Sequence, residues 1–178
     1  MRHLLQALFV CALTACSSTV TNREPLGERF PAVTGESLER VAVTLPDDLE
    51  GAPAVLLVGY VQDAQFDADR WLIGLLQVPL PVQVREVPTI KGLFVRNLSG
   101  VIDNGMRKGI PEEDWSSVVT VYGRGATEIV AFTGNERPRN IRVLLLDAEG
   151  RVVWFHDRGF SAGKMIELEA AVRELVGG

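Results

Sequence analysis

The chain has 178 residues, 47% of them hydrophobic and 23% charged, with a formal charge of −5. That is the size and makeup of one ordinary globular domain with a real core. An acidic balance of 18 Lys+Arg against 23 Asp+Glu speaks against a nucleic-acid binder, whose affinity comes from neutralising phosphates. Two cysteines exclude a disulfide scaffold and a four-cysteine zinc or iron–sulfur site, and two histidines leave little room for a histidine-built metal centre.

At the N-terminus, Arg2 and His3 precede an apolar run from Leu4 to Leu13, broken only by Gln6. The run is too short to remain in a bilayer as an anchor, so residues 1–15 are expected to be a signal peptide. It ends in Leu13-Thr14-Ala15-Cys16, which resembles the bacterial lipobox at all four positions. The resemblance implies that the Cys16 thiol takes a diacylglyceryl group and that the new amino terminus takes a fatty acyl group such as palmitate. Several acyl chains hold a protein stably on a membrane, at about 0.8 kcal/mol per buried CH2. Cys11 is then discarded with the signal, leaving no free thiol. Ser17, in place of Asp, implies by resemblance to enterobacterial lipoproteins an outer-membrane location facing the periplasm. Ser17 to about Leu26 is polar and without hydrophobic period, so residues 16–29 are expected to be a flexible tether and 30–178 the domain.

Along the body, strand and helix signals alternate. Val41 to Leu45 is a short strand closed by Pro46, and Ala54 to Val61 is a continuous apolar run, the signature of a strand buried on both faces. Phe66 to Gln77 has helical spacing, with Asp67 and Asp69 in a first turn that favours negative charge. Val82 to Val87 alternates as a half-open strand, and Leu93 to Lys108 reads as a helix whose apolar side is Leu98, Val101, Ile102 and Met106. Ser117 to Tyr122 is a further strand and Ala126 to Phe132 a short helix. Ile141 to Leu146 and Arg151 to His156 form a hairpin across Asp147-Ala148-Glu149-Gly150. Ala162 to Val176 closes the chain as an amphipathic helix with Met165, Ile166, Leu168, Val172, Leu175 and Val176 on its apolar side.

This order predicts an α/β domain, and three stretches carry a resemblance. LPDDLEGAPAVLLVGY (Leu45 to Tyr60) looks like the opening of peroxiredoxin-type domains, and VLLLDAEGRVVW (Val143 to Trp154) like the terminal hairpin of the thioredoxin-like superfamily. Phe30-Pro31, Gly35 and the run through Trp71 resemble the mitochondrial ATP synthase assembly-factor family. The resemblance implies a thioredoxin-like three-layer α/β/α sandwich with a mixed central sheet and a C-terminal β-hairpin plus helix.

The chemistry of that superfamily needs a thiolate at the start of the first helix, where the dipole lowers its pKa. Val61 to Asp67 holds no cysteine, so neither disulfide exchange nor peroxide reduction is expected, and no enzyme activity. The proline that lines the superfamily's thiol site belongs near Ile141 or Arg142, whereas the nearest one is Pro138. Gln62, Asp63, Gln65, Asp67 and Asp69 supply oxygens for a hard cation, but their spacing matches no calcium loop, and no metal or cofactor is expected. His156 beside Asp157 lies on a strand, where neighbours point to opposite faces, and no Gly-x-Ser-x-Gly elbow offers a nucleophile.

Trp71, at helical spacing with Leu75, is expected in the core, and Trp115, after Pro111-Glu112-Glu113-Asp114, at a partly exposed helix start. Trp154 and Phe155 are consecutive on a strand, so one faces away from the main core, to meet a partner or be covered by a helix. Arg137, Arg139 and Arg142 around Pro138 form the one basic cluster, a solvated loop or a contact for anionic headgroups or a carboxylate-rich partner. The expected function is that of a lipid-anchored, redox-inactive envelope protein that binds or helps assemble another envelope protein. Its contact is the loop carrying Gln62, Asp63, Asp67 and Arg70, with a periplasmic metal- or small-ligand-binding lipoprotein as the alternative.

Overall fold

In the computed structural model, which describes residues 19–92 and 99–177, the domain opens with an antiparallel hairpin of β1 (Val33–Ser37) and β2 (Ala42–Leu45). Sequence patterning points to β2 but not to β1, whose Val-Thr-Gly-Glu-Ser has little strand character. Gly35 of β1 is what lets this strand lie against the later strand Val119–Tyr122: a Cβ there would sit 2.7 Å from Val119 Cγ1 and 2.8 Å from the Thr120 carbonyl oxygen.

The apolar run becomes β3 (Ala54–Gly59), followed by α1 (Gln65–Leu76) and β4 (Gln83–Ile90). Then come α2 (Ser99–Arg107), β5 (Val119–Tyr122), α3 (Gly123–Thr133), β6 (Arg142–Leu146), β7 (Val152–His156) and α4 (Ala162–Gly177). The seven strands make one open mixed sheet in the order β2-β1-β5-β4-β3-β6-β7. β3 runs parallel to β4 and antiparallel to β6, with Val55 opposite Val84 on one side and Leu145 on the other.

This pairing explains the unbroken hydrophobicity of β3 and β6. Ala54, Leu56 and Val58 join Leu144, Leu146, Ile129 and Phe30 in a core under α3, while Val55 and Leu57 join Val143, Leu145 and Trp71 in a second core under α1 and α4. Helices therefore cover both faces, as expected. Trp71 is fully buried, and Trp154 and Phe155 pack against opposite cores, each half-buried. A register shift between Leu145 and Leu146 offsets the alternation and leaves Val153 exposed.

Three expectations need correction. The first half of the predicted Leu93–Lys108 helix lies largely outside the described residues. In the described part, α2 buries Asp103 rather than its apolar residues, because the Tyr122 hydroxyl donates to Asp103 Oδ1 at 2.7 Å; Val101 faces solvent. On α4, Ile166 and Val176 are exposed, since the stripe that reaches the core is Met165, Leu168 and Val172 with Ala171 and Leu175 partly buried beside it.

The third concerns the tether. Residues 20–29 lie on the domain instead of hanging free. Asn135 donates its N–H to the Val20 carbonyl and Arg23 its N–H to Thr133, while Gly27 and Glu28 exchange bonds with Val152. Pro25 is buried. The segment is held by backbone hydrogen bonds and polar side chains, which carry no hydrophobic period to read.

Candidate functional site

β3 ends at Gly59, and the chain turns through Tyr60, Val61 and a short 3-10 turn, Gln62–Ala64, into α1. This is the corner where the sequence comparison expects a thiol site. Gln62 and Asp63 are exposed, and Asp63 pairs with Arg139 at 3.4 Å. Arg70, in the second turn of α1, is also exposed.

Asp67 is different from its three companions. It is buried, and its carboxylate ties three segments together: Oδ2 accepts the Ile141 N–H at 3.0 Å and Oδ1 accepts the Phe160 N–H at 2.7 Å. Asp67 is therefore a brace and cannot reach a partner, contrary to the expected contact. Ile141 is one of the two positions near which the superfamily's proline is expected. A proline there has no N–H to donate and would lose this bond. The cis peptide bond among the described residues is Leu45–Pro46.

Beneath the loop lies a buried guanidinium. Arg142, read from sequence as part of a solvated basic cluster, begins β6 and is 0% exposed. Its Nη1 donates to the carbonyls of Arg137 and Asn140 at 2.9 and 2.7 Å, its Nη2 donates to Asn22 Oδ1 at 2.8 Å, and its Nε has no partner. The guanidinium also lies 5.1 Å over the Tyr60 ring. Burial lowers the Arg142 pKa, with Tyr60, Asp157 and Glu136 opposing the shift. Tyr60 hydrogen-bonds Thr133 through its hydroxyl, and burial pushes the phenol up to about 12.

Asn22 seals this cluster from outside. Besides accepting from Arg142, its side chain donates to Asp157 Oδ2 at 2.6 Å, and its backbone N–H donates to Glu136 Oε2 at 3.1 Å. Glu136 returns a bond from its own N–H to Asn22 Oδ1 at 2.8 Å. Neither Asn22 nor Tyr60 stands out in the sequence, because nothing local marks a residue whose partners lie far along the chain.

The other candidate chemistry is accounted for by packing. His156 lies 5.8 Å from Trp71 and 6.0 Å from Trp154 and is half-buried. Its Nε2 is 2.8 Å from the Gly159 carbonyl, an acceptor only, so this nitrogen carries the proton. Asp157 takes the Asn22 amide, so no His–Asp pair forms. An open groove of about 380 Å³ runs beside the arm, lined by Asn22, His156, Asp157, Arg158 and Lys164. Among the described residues, no three His, Cys, Asp or Glu side chains are placed to hold a metal ion. Nor is any helix there long and apolar enough to cross a membrane.

The sheet order and the βαβ unit leading into a terminal hairpin and helix define a thioredoxin-like α/β fold. Solved structures agree. The chain is similar to a SCO1/SenC family lipoprotein from Bacillus anthracis, at TM-score 0.58 and 15% identity, covering 88% of this chain and 99% of that one. It is similar to yeast Sco1 with copper bound, at TM-score 0.58 and 13% identity over 85% and 94% of the two chains. The thioredoxin domain of a thiol-disulfide oxidoreductase from Bacteroides vulgatus superposes at TM-score 0.54, with 18% identity over 84% and 99%. No protein-family model and no curated protein matches the sequence.

Proposed function

We propose that this chain is a lipid-anchored, thioredoxin-like protein of the bacterial envelope that works by binding another envelope protein and not by thiol chemistry. The observation that carries this reading is the corner between β3 and α1. There the scaffold is kept and braced by Asp67, but Val61 to Asp67 supplies no cysteine and neither Ile141 nor Arg142, near which the lining proline is expected, is a proline. Thiolate nucleophilicity is indispensable to disulfide exchange, so a corner without a thiol is suited to recognition.

The contact is the exposed part of this corner, Gln62, Asp63 and Arg70. Anchoring follows from the Leu13-Thr14-Ala15-Cys16 motif, and a lipoprotein among the structural neighbours is consistent with it. Ser17 favours the outer membrane.

Crosslinking in living cells that express a tagged chain, followed by membrane extraction and mass spectrometry, tests the reading. Capture of one stoichiometric envelope protein, lost in Cys16→Ala and weakened in a Gln62→Ala/Arg70→Ala double variant, supports it. Undiminished capture by the double variant moves the interface elsewhere. An empty capture, together with heat released on titrating copper, zinc or calcium, would replace it with the metal-binding alternative.

A further inference from the structure

Five features of one end of the domain converge. The loop entering α1 exposes two apolar side chains, Val61 at 43% and Phe66 at 74%. Arg70 lies one turn beyond Phe66 on the same face of α1. Arg137 and Arg139 flank the loop, and Arg139 is joined to it through Asp63. Two acidic neighbours, Glu136 and Asp157, are engaged by Asn22, whereas Arg70 and Arg137 make no ion pair among the described residues. Finally, the N-terminal arm is pinned here. Val20 exchanges hydrogen bonds with Asn135, its N–H reaching Asn135 Oδ1 at 2.7 Å.

The arm sets a distance. Cys16 precedes Val20 by four residues, and an extended chain spans at most about 3.5 Å per residue, so the backbone of the anchoring residue can be no more than roughly 14 Å from that of Val20. A free tether over residues 16–29 would allow the domain any orientation. The docked arm restricts it, keeping the end that carries Val20 and Asn135 near the bilayer.

We propose that this end rests on the phospholipid surface, Val61 and Phe66 entering the headgroup region and Arg137 and Arg139 meeting anionic headgroups. The proposal rests on the anchored reading above and deepens it. An interface beside Gln62 and Asp63 then lies at the bilayer surface, where the partner is a membrane-embedded protein and not one free in the periplasm.

The mature, acylated chain has no free thiol, so a single introduced cysteine is labelled alone. Gln62→Cys and Gln77→Cys place an environment-sensitive dye at opposite ends of α1, both at exposed positions. The labelled proteins are reconstituted in vesicles of mixed phosphatidylethanolamine and phosphatidylglycerol carrying nitroxide-labelled lipid. Quenching several-fold stronger at position 62 than at 77 is expected. It should be lost on adding Phe66→Asp and Arg137→Glu, and reduced when phosphatidylglycerol is omitted. Equal quenching at both positions, in a chain whose intact mass shows the acyl groups, overturns the orientation and leaves the anchor standing. An intact mass without acyl groups overturns the anchor and the orientation with it.

Discussion

Asn22 Oδ1 accepts a hydrogen bond from Arg142 Nη2 at 2.8 Å, joining the N-terminal arm to the first residue of β6 across 120 positions of sequence. A buried guanidinium is tolerated only when its donors are satisfied. Here two backbone carbonyls and the Asn22 amide satisfy the two terminal nitrogens, with the Tyr60 ring beneath, while Nε is left without a partner. The arm is therefore part of the fold.

Replacing Asn22 by alanine removes an acceptor from Arg142 and from the Glu136 N–H, and a donor from Asp157. A loss of about 1–3 kcal/mol is expected. Limited trypsin digestion should then cut at Arg23 and Arg29 well before the body, whereas the parent arm resists. Equal digestion rates in parent and variant would show that Asn22 does not hold the arm.

Gly134 permits the same contact from the other side. It follows α3 at φ 74° and ψ 171°, a region open almost only to glycine. A Cβ there would lie 2.3 Å from the Thr21 carbonyl oxygen and 2.4 Å from Asn22 Cα. Gly134→Ala should cost roughly 1–3 kcal/mol from backbone strain alone and release the arm. Hydrogen exchange at Arg23 N–H, which is bonded to Thr133, would rise.

Asp67→Ala should destabilise the domain by roughly 2–4 kcal/mol, because the Ile141 and Phe160 N–H groups are both left without an acceptor. Asp63→Ala and Arg70→Ala remove exposed side chains and should shift stability by no more than about 0.5 kcal/mol. Chemical denaturation of the three variants separates the brace from the surface. Similar midpoints for all three would return Asp67 to the list of surface residues.

Glu86 of β4 titrates above its ordinary value of 4.5, chiefly through burial, with Asp69 adding to the shift and Gln65 opposing it. An acid whose pKa is raised on folding binds more protons in the native state, so stability falls as pH rises from 4.5 through the folded value. Glu86→Gln should therefore raise the melting temperature at pH 7 and leave it nearly unchanged at pH 4. A variant no more stable than the parent at pH 7 would contradict this.

How much of this was legible beforehand differs by element. β3, α1, β6, β7 and α4 announce themselves through apolar runs and periodicity, because each buries a face whose pattern is local. β1 does not, since its place depends on Gly35 fitting against Val119 and Thr120 rather than on its own propensity. The missing thiol is a matter of composition and is plain at once. The loop exposing Gln62, Asp63 and Arg70 was legible from the fold resemblance, but Asp67 looked the same as its neighbours. Only α1's rotation against the loops at Ile141 and Phe160 turns it inward.

By itself, then, the sequence determined the class of fold, the absence of a thiol at the β3–α1 corner and the lipobox-like motif at Cys16, all properties of local order and residue type. The tertiary structure alone decided that residues 20–29 are bound to the domain, that Arg142 is buried and that Asp67 is a brace. The physical reason is one of range. A polar side chain carries no local sign of whether its partner will be water or a group far along the chain, and that choice is made only when strands and loops distant in sequence close around it.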